Sequence, residues 1–405
     1  MSDSHAAHRF AVVWRLVVAI VLVSALLGSV TTTIAVRSAF SVEYRPLPDA
    51  PLTTAFVQGD STWLEVPMGH LGDPSNTFWQ LFVRSPSTGG WRTATPPGVA
   101  DNGGLVMADG PGGGLVAGFL PSQDLTFSPL SVTTDAGGVW TGAYFPQGLL
   151  SVPDALGGTS AGVHLALGRK GGGSLLEAAR SLSTWRPVTT AGALGRSAAG
   201  ARCGVERLTA AAVAPDGDPL VGTACRRPGV VGLFEIVDGR SEAVPVSTPP
   251  AMLRAPVSVL RVVSTGTGVA VLLEGSGQTG QTVLVAGWIS APSSAPVLSA
   301  SFSPPRGALV ATGTTPGGGV FVLLQPVGKG PPELVEVSAP QGTTPAWDVL
   351  PTPPRGTLGA AFSLGRIDAV TVHYSTLTDY ALDEDSGTWT RSEVIHVPIQ
   401  YGSSD

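Results

Sequence analysis

The longest apolar stretch of the chain lies near its N-terminus, where residues 16–36 contain no charged side chain over 21 positions. A helix over this stretch would be about 30 Å long, which matches the hydrocarbon core of a membrane. The pattern therefore predicts one transmembrane helix over 16–36, in contact with membrane lipid, behind a cytoplasmic tail over 1–15.

Charge alone does not orient this predicted helix, because Arg9 and Arg15 precede it and Arg37 and Arg45 follow it. The short tail and the weakly charged remainder of the chain favour an N-terminus inside the cell. A cleaved signal peptide is the alternative, but the stretch is longer than a typical signal segment and no good Ala-x-Ala site follows. We expect an uncleaved anchor in the cytoplasmic membrane, with the C-terminal domain extracytoplasmic.

After the anchor, short apolar runs recur at a spacing near 50 residues. Each run is rich in Val, Leu and Ala, has Gly or Pro nearby, and is too short for a helix. The runs cover residues 62–68, 114–120, 162–168, 219–225, 268–274, 319–325 and 368–374. Residues 37–55, which hold three prolines and no helical period, are expected to form an extracytoplasmic stalk before them.

A tryptophan marks a second position in the repeat. Residues 85–91 (SPSTGGW) and 383–389 (DEDSGTW) share a polar turn that ends in Trp, and they lie 298 residues apart, close to six repeat periods. Comparable turns end at Trp140, Trp185 and Trp347. The fourth and fifth units keep a turn but lack the tryptophan.

A period of about 40–50 residues with several short strands per unit is typical of a β-propeller blade. One blade cannot cover both of its apolar faces, whereas a ring of blades covers them all. We therefore expect an all-β domain over 56–399 that forms a propeller of seven blades, with six or eight also consistent. A C-terminal tail over 400–405 would follow it.

Composition agrees with many short strands joined by turns. The chain has 53 Gly and 35 Pro, which break helices, yet 43% of its residues are apolar, which argues against a disordered chain. Only 13% of the residues are charged, and the net charge is −6. No basic run occurs, so nucleic acid is not an expected partner.

The only two cysteines are Cys203 and Cys225, and they form no Cys-x-x-Cys motif. They flank a predicted hairpin whose turn is at 215–218, which makes a disulfide feasible. An extracytoplasmic domain favours the disulfide, and two buried thiols are the alternative. A metal site at the cysteines is not expected, because no histidine lies near either one.

Residues 133–140 (TTDAGGVW) resemble the Asp-box of sialidase-like, BNR-repeat propellers, Ser/Thr-x-Asp-x-Gly-x-Thr-Trp. Thr133, Asp135, Gly137 and Trp140 match the motif, and a valine replaces its usual second threonine. The resemblance implies a structural turn in which the Asp accepts backbone N–H bonds, the Gly takes a positive φ and the Trp packs between strands.

Residues 381–389 (ALDEDSGTW) look like the repeat of quinoprotein-type propellers, but their Gly-to-Trp spacing is two residues shorter. The motif occurs once, so we interpret it as a blade turn and expect no cofactor. Its acidic residues are spaced too closely for a calcium loop, so no metal site is expected either.

Sialidase activity would require an arginine triad, a Tyr nucleophile with its Glu, and an Asp acid. The chain has five Tyr, and no such set can be assigned, so no catalytic residue is predicted. The leading hypothesis is a non-enzymatic binding or assembly module of the cell envelope, with an envelope protein or glycan as partner. The alternatives are a sialidase-like glycoside hydrolase and an accessory subunit of an envelope transport complex.

Overall fold

The computed structural model describes most of the chain beyond the predicted stalk. The described residues are 53–71, 77–97, 104–120, 126–170, 173–179, 181–265, 268–277, 280–291, 294–304, 307–326 and 330–398. The predicted tail, transmembrane helix and C-terminal tail, and most of the stalk, lie outside them. Among the described residues, no helix is both long enough and apolar enough to cross a membrane.

The strands of the described residues fall into consecutive units of four. The first unit contains β1 (Thr53–Gln58), β2 (Ser61–Gly69), β3 (Thr77–Arg84) and β4 (Arg92–Thr93). The second contains β5 (Leu105–Asp109), β6 (Leu115–Phe119), β7 (Ser128–Thr133) and β8 (Thr141–Phe145). The third contains β9 (Leu156–Gly158), β10 (His164–Gly168), β11 (Ser174–Ala178) and β12 (Trp185–Thr190). The fourth contains β13 (Val205–Val213), β14 (Pro219–Cys225), β15 (Gly232–Val237) and β16 (Arg240–Ala243).

Three further units follow along the chain. The fifth contains β17 (Val257–Thr265), β18 (Gly268–Ser276), β19 (Thr282–Ile289) and β20 (Val297–Leu298). The sixth contains β21 (Gly307–Thr314), β22 (Val320–Pro326), β23 (Glu333–Val337) and β24 (Asp348–Val349). The seventh contains β25 (Thr357–Ser363), β26 (Arg366–His373), β27 (Thr376–Asp383) and β28 (Thr388–His396). Two short helices, α1 (Ala191–Arg196) and α2 (Ala198–Cys203), lie between the third and fourth units.

Each apolar run of the sequence repeat forms the second strand of a unit. These strands are β2, β6, β10, β14, β18, β22 and β26. A second strand has a neighbour on each side and sheets above and below, so both of its faces are covered and its sequence is continuously apolar. Every residue of β10 and β14 is buried, whereas most residues of the outer strand β28 are exposed.

Within each unit, consecutive strands pair antiparallel. Among the described residues, two strand pairings cross between units, in addition to single β-bridges. β1 runs parallel to β21, with Thr54 opposite Thr312, and β14 meets β17 at Ala224 and Ser258. The first strand begins at Thr53, three residues before the expected start of the domain. The end of the segment assigned to the stalk is therefore part of the sheet, because its backbone pairs with β2 and β21.

Apolar clusters join each unit to the next. One cluster packs Trp63 of the first unit against Phe119 of the second, and others connect the second unit through to the sixth. A further cluster contains Phe82 of the first unit, Phe321 of the sixth and Leu377 of the seventh, so the last unit packs against the first. Four-stranded units in sequence order that pack face to face in a closed circle form a β-propeller.

Three of the five repeated tryptophans link neighbouring units by hydrogen bonds. The indole nitrogen donates to a backbone carbonyl of the preceding unit in three cases: Trp185 to Tyr144 at 3.1 Å, Trp347 to Ala300 at 3.0 Å and Trp389 to Pro351 at 3.0 Å. The fifth unit lacks a tryptophan at this position, but Trp288 on β19 donates to the carbonyl of Gly318 in the sixth unit at 2.7 Å. The tryptophan repeat thus reflects contacts between units.

A buried ion-pair network joins the first and seventh units. Arg84 of β3 contacts Asp368 at 2.6 Å, Asp379 at 3.2 Å and Glu393 at 3.3 Å. The guanidinium also lies 5.1 Å from the ring centre of Trp91. Burial, and then the negative charge of Asp368, raises the pKa of Asp379 to about 6. The chain segments that close the circle are therefore held by charge as well as by apolar packing.

Candidate functional site

The first strands of neighbouring units meet at the centre of the propeller, where they line a small cleft. Its lining comes from five units and includes Asp109, Gly157, Ala212 and Arg261. The backbones approach closely here, since a Cβ added to Gly157 would lie 2.7 Å from the carbonyl oxygen of Ala211. Small residues on the inner strands therefore allow charged side chains from several units to converge.

An ion pair between Asp154 and Arg261 dominates the wall of the cleft. Asp154 lies just before β9, and the guanidinium Nε of Arg261 contacts both of its carboxylate oxygens at 2.8 Å. The backbone N–H of Val262 donates to the same carboxylate at 2.7 Å, and Arg261 also donates to the hydroxyl of Thr312. A β-bulge between Val259 and Arg261 interrupts the regular register of β17 at this point.

Glu65 lies behind this ion pair and is fully buried on β2. Its Oε1 accepts a hydrogen bond from the Thr54 hydroxyl at 2.6 Å, while Oε2 has no partner among the described residues. Burial raises the pKa of Glu65 to about 8, and this outweighs the Thr54 hydrogen bond and the positive charge of Arg261. The side chain is therefore protonated at neutral pH.

A second carboxyl reaches the cleft from β5. The amide nitrogen of Gln58 donates to Oδ1 of Asp109 at 3.0 Å. Burial raises the pKa of Asp109, and the hydrogen bond from Gln58 only partly opposes this. Asp109 therefore adds an acceptor to the cleft while its own orientation is fixed by the first unit.

Most polar groups of the cleft already have partners inside the protein. Asp154 and Arg261 satisfy each other's charge. The remaining polar lining consists of Asp109, the hydroxyls of Thr54 and Ser264, and backbone groups. Both hydroxyls donate hydrogen bonds to other groups of the protein.

Sequence reasoning did not identify this polar cluster. Asp154 and Arg261 lie 107 residues apart and belong to no common motif. The available signal was a single charged residue inside an otherwise apolar strand, as for Glu65 in TWLEVPM and Arg261 in VSVLRVV. Such residues are costly to bury unless they find partners, so each one predicts a contact without naming the partner.

The four residues of the motif at 133–140 form the turn between β7 and β8, away from the central cleft. The Thr133 hydroxyl accepts from the backbone N–H of Gly137 at 2.9 Å, and Asp135 Oδ1 accepts from that of Val139 at 2.9 Å. The backbone N–H of Val139, and then the Thr133 hydroxyl, which donates to Asp135 Oδ1 at 2.8 Å, lower the pKa of Asp135. Gly137 has a φ of +84°, and Trp140 packs edge-on against Trp63 at 6.3 Å between ring centres.

The two cysteines form the expected disulfide. Cys203 and Cys225 are bonded, with their Cα atoms 5.0 Å apart. The bond joins the end of α2 to the end of β14, and both sulfur-bearing side chains are buried. The prediction of a disulfide in the fourth unit is confirmed.

No protein-family model and no curated protein matches this sequence. TolB from Acinetobacter baumannii is 12% identical with a TM-score of 0.45, over 70% of this chain and 66% of TolB, just under two thirds of its length. The β-propeller domain of the Trilobed protease from Pyrococcus furiosus is 10% identical with a TM-score of 0.45, and the match covers 86% of this chain and 96% of that domain. The six-bladed lectin of Aleuria aurantia is 10% identical with a TM-score of 0.40, and the match covers 89% of this chain and 99% of the lectin. Likenesses this distant carry no argument about function.

Proposed function

We propose that this chain is a membrane-anchored, seven-bladed propeller that serves as a binding or assembly module of the cell envelope. An exposed aromatic patch at the junction of the first and seventh units carries the proposal. The patch consists of four exposed residues: His70 and Leu71 after β2, His373 at the end of β26, and Tyr374 directly after it. Tyrosine is enriched where proteins bind partners, because it offers a large rigid surface with a polar tip.

The backbone holds the patch in a fixed position. Tyr374 has a φ of +53°, a conformation that costs energy for a residue other than glycine, yet 55% of the residue is exposed. Its carbonyl accepts from the backbone N–H of Gly69 at 2.9 Å, and its ring meets His373 edge-on at 4.8 Å. The His70 ring centre lies 6.5 Å from that of Tyr374. A strained, exposed aromatic residue with fixed neighbours is a pre-organised contact.

Two features support the anchored, extracytoplasmic placement. The 21 uncharged positions over 16–36 are long enough for a membrane span. The disulfide between Cys203 and Cys225 is the state that oxidising compartments favour. We also propose that Thr133, Asp135, Gly137 and Trp140 act structurally, as in an Asp-box, because their hydrogen bonds are made within the turn.

Site-specific photo-crosslinking in intact cells tests the binding function. A photo-reactive amino acid replaces Tyr374 in one variant and Tyr144 in the matched control, which is 54% exposed on the outer strand β8. We expect a covalent adduct with an envelope protein or glycan from position 374 and none from position 144. Equal adducts at both positions, or none at 374, would contradict the proposal, and turnover of a glycan panel would favour the hydrolase.

Protease treatment of spheroplasts tests the placement independently. If the propeller is extracytoplasmic, protease added outside degrades it while a cytoplasmic marker survives, and alkaline carbonate leaves the untreated protein in the membrane fraction. Protection of the propeller, or its release by carbonate, would overturn the anchored topology without bearing on the aromatic patch.

A further inference from the structure

The fourth unit gathers three carboxylates at one end of its sheet. Asp216 and Asp218 lie in the turn between β13 and β14, and Glu235 lies on β15 opposite Leu220. One carboxylate oxygen from each lies within 4.8 Å of the other two. The sheet register therefore brings a strand residue up against a turn 17 to 19 residues earlier in the chain.

Glu235 supplies a second observation, separate from the clustering. The residue is only 9% exposed, and its Oε1 is buried with no hydrogen-bond partner among the described residues. An unpaired buried carboxylate oxygen is costly, and the usual solutions are a proton, a cationic side chain or a bound cation. One oxygen of the same carboxyl group lies within 4.8 Å of an oxygen of Asp216 and of Asp218, so a cation held by these three side chains would also neutralise Glu235.

The charged groups that shift the pKa values of Glu235 and Asp218 are all acidic. Burial, and then the charges of Asp216 and Asp218, raises the pKa of Glu235 to about 7; a side-chain hydrogen bond with Asp216 and the charge of Glu242 on β16 act in the same sense. Burial raises the pKa of Asp218, and Asp216, Asp238 and Glu177 add to the effect. No basic side chain is among these influences on either pKa. The site therefore has a strongly negative potential that favours a cation.

We propose that Asp216, Asp218 and Glu235 bind a calcium ion. Carboxylate oxygens are preferred ligands of hard divalent cations, and calcium holds them at about 2.3–2.6 Å. One carboxylate oxygen of each residue lies within 4.8 Å of the other two, so one ion can contact all three. Calcium accepts irregular oxygen geometry, whereas magnesium requires a nearly ideal octahedron and gives up its water reluctantly, so calcium is the better match to three carboxylates held on a turn and a strand.

The turn holds two of the ligands in place before any ion arrives. Gly217 has a φ of +98°, which lets the chain reverse between the two aspartates, and Asp216 Oδ1 accepts from the backbone N–H of Asp218 at 3.3 Å. The disulfide closes the opposite end of the same pair of strands. A calcium ion would give this tryptophan-poor unit a second crosslink, which the sequence alone did not predict.

Calorimetry with the purified full-length chain in detergent tests the proposal, after chelation and removal of the chelator. We expect calcium to bind at one site and to raise the thermal midpoint, and magnesium to bind at least about tenfold more weakly. Glu235→Gln should weaken calcium binding by about tenfold or more, because affinity in oxygen sites follows the number of charged ligands. The matched control is Glu242→Gln, whose side chain lies on the adjacent strand outside the three-carboxylate cluster.

These measurements distinguish calcium binding from simple protonation of Glu235. Without calcium, Glu235→Gln should be at least as stable as the original protein, which shows that lost binding is not lost folding. Absence of calcium binding at millimolar concentration would overturn the proposal. Binding that survives Glu235→Gln, or is lost equally in Glu242→Gln, would overturn it as well.

Discussion

At the scale of single residues, burial decides the state of side chains that look alike in the sequence. His164 and His373 both lie in apolar strands, but His164 is 2% exposed and His373 is exposed. Burial lowers the pKa of His164 to about 4, so this imidazole stays neutral over the physiological range. Glu65 is the mirror case, a carboxyl kept protonated by the same physical cause.

The stability of the protein should depend on the titration of Glu65. Its pKa of about 8 in the folded state exceeds the ordinary value of 4.5, so the folded protein holds this proton more tightly than the unfolded chain. Its contribution to stability is present below pH 4.5 and is lost as the pH rises through about 8. We expect Glu65→Gln to gain stability relative to the original protein over this range, by on the order of a few kcal/mol.

Urea unfolding at a series of pH values measures this difference. Glu384→Gln, on the exposed turn before β28, controls for the removal of one surface carboxylate. If the free energies of unfolding of Glu65→Gln and of the original protein changed in parallel with pH, the prediction would be wrong, because Glu65 would then have its ordinary pKa in the folded state.

At the scale of elements, the units share one strand order but differ in the interactions that fasten their turns and strands. The turn at 133–140 is closed by side-chain hydrogen bonds from Thr133 and Asp135. The fourth unit has no such turn tryptophan, and a disulfide instead fastens the end of α2, just before β13, to the end of β14. Each device satisfies backbone groups or restricts the chain where the sheet alone would not.

Removal of the disulfide should destabilise the protein measurably. The bond closes a loop with a sequence separation of 22 residues, which corresponds to about 3 kcal/mol of lost chain entropy in the unfolded state. We expect the double variant Cys203→Ala/Cys225→Ala to lose about this amount in the free energy of unfolding by urea.

Reduction provides the matching control. The original protein, unfolded in the presence of dithiothreitol, should match the double variant. An unchanged urea midpoint in the variant would mean that the fourth unit does not depend on the bond.

At the scale of the whole molecule, closure of the circle depends on contacts between the chain's first and last strands. Each unit is built from consecutive strands, so no strand is exchanged between the first and seventh units of the described fold. Closure relies on their shared apolar cluster and on Arg84, which meets Asp368 and Asp379 in a nearly water-free site. Removal of one partner from a buried pair leaves the other charge uncompensated.

Arg84→Met should therefore destabilise the protein by about 3–5 kcal/mol. The matched control is Arg186→Met, which breaks the surface pair with Glu177, where the arginine is 74% exposed. That change should alter stability by less than about 1 kcal/mol. Thermal and urea unfolding compare the two, and equal effects would show that Arg84 does not hold the circle closed.

The period and the strands were predictable from the sequence, and the disulfide was its favoured prediction for the two cysteines. These features are local or nearly so, because an apolar run reports that both faces of a strand are covered, and a hairpin brings Cys203 and Cys225 together. Which charged side chains form pairs became apparent from the folded arrangement of the units. Arg84 and Asp368 lie 284 residues apart, and Asp154 and Arg261 lie 107 apart. Their partners follow from how the units pack around the centre, and no local pattern encodes that arrangement.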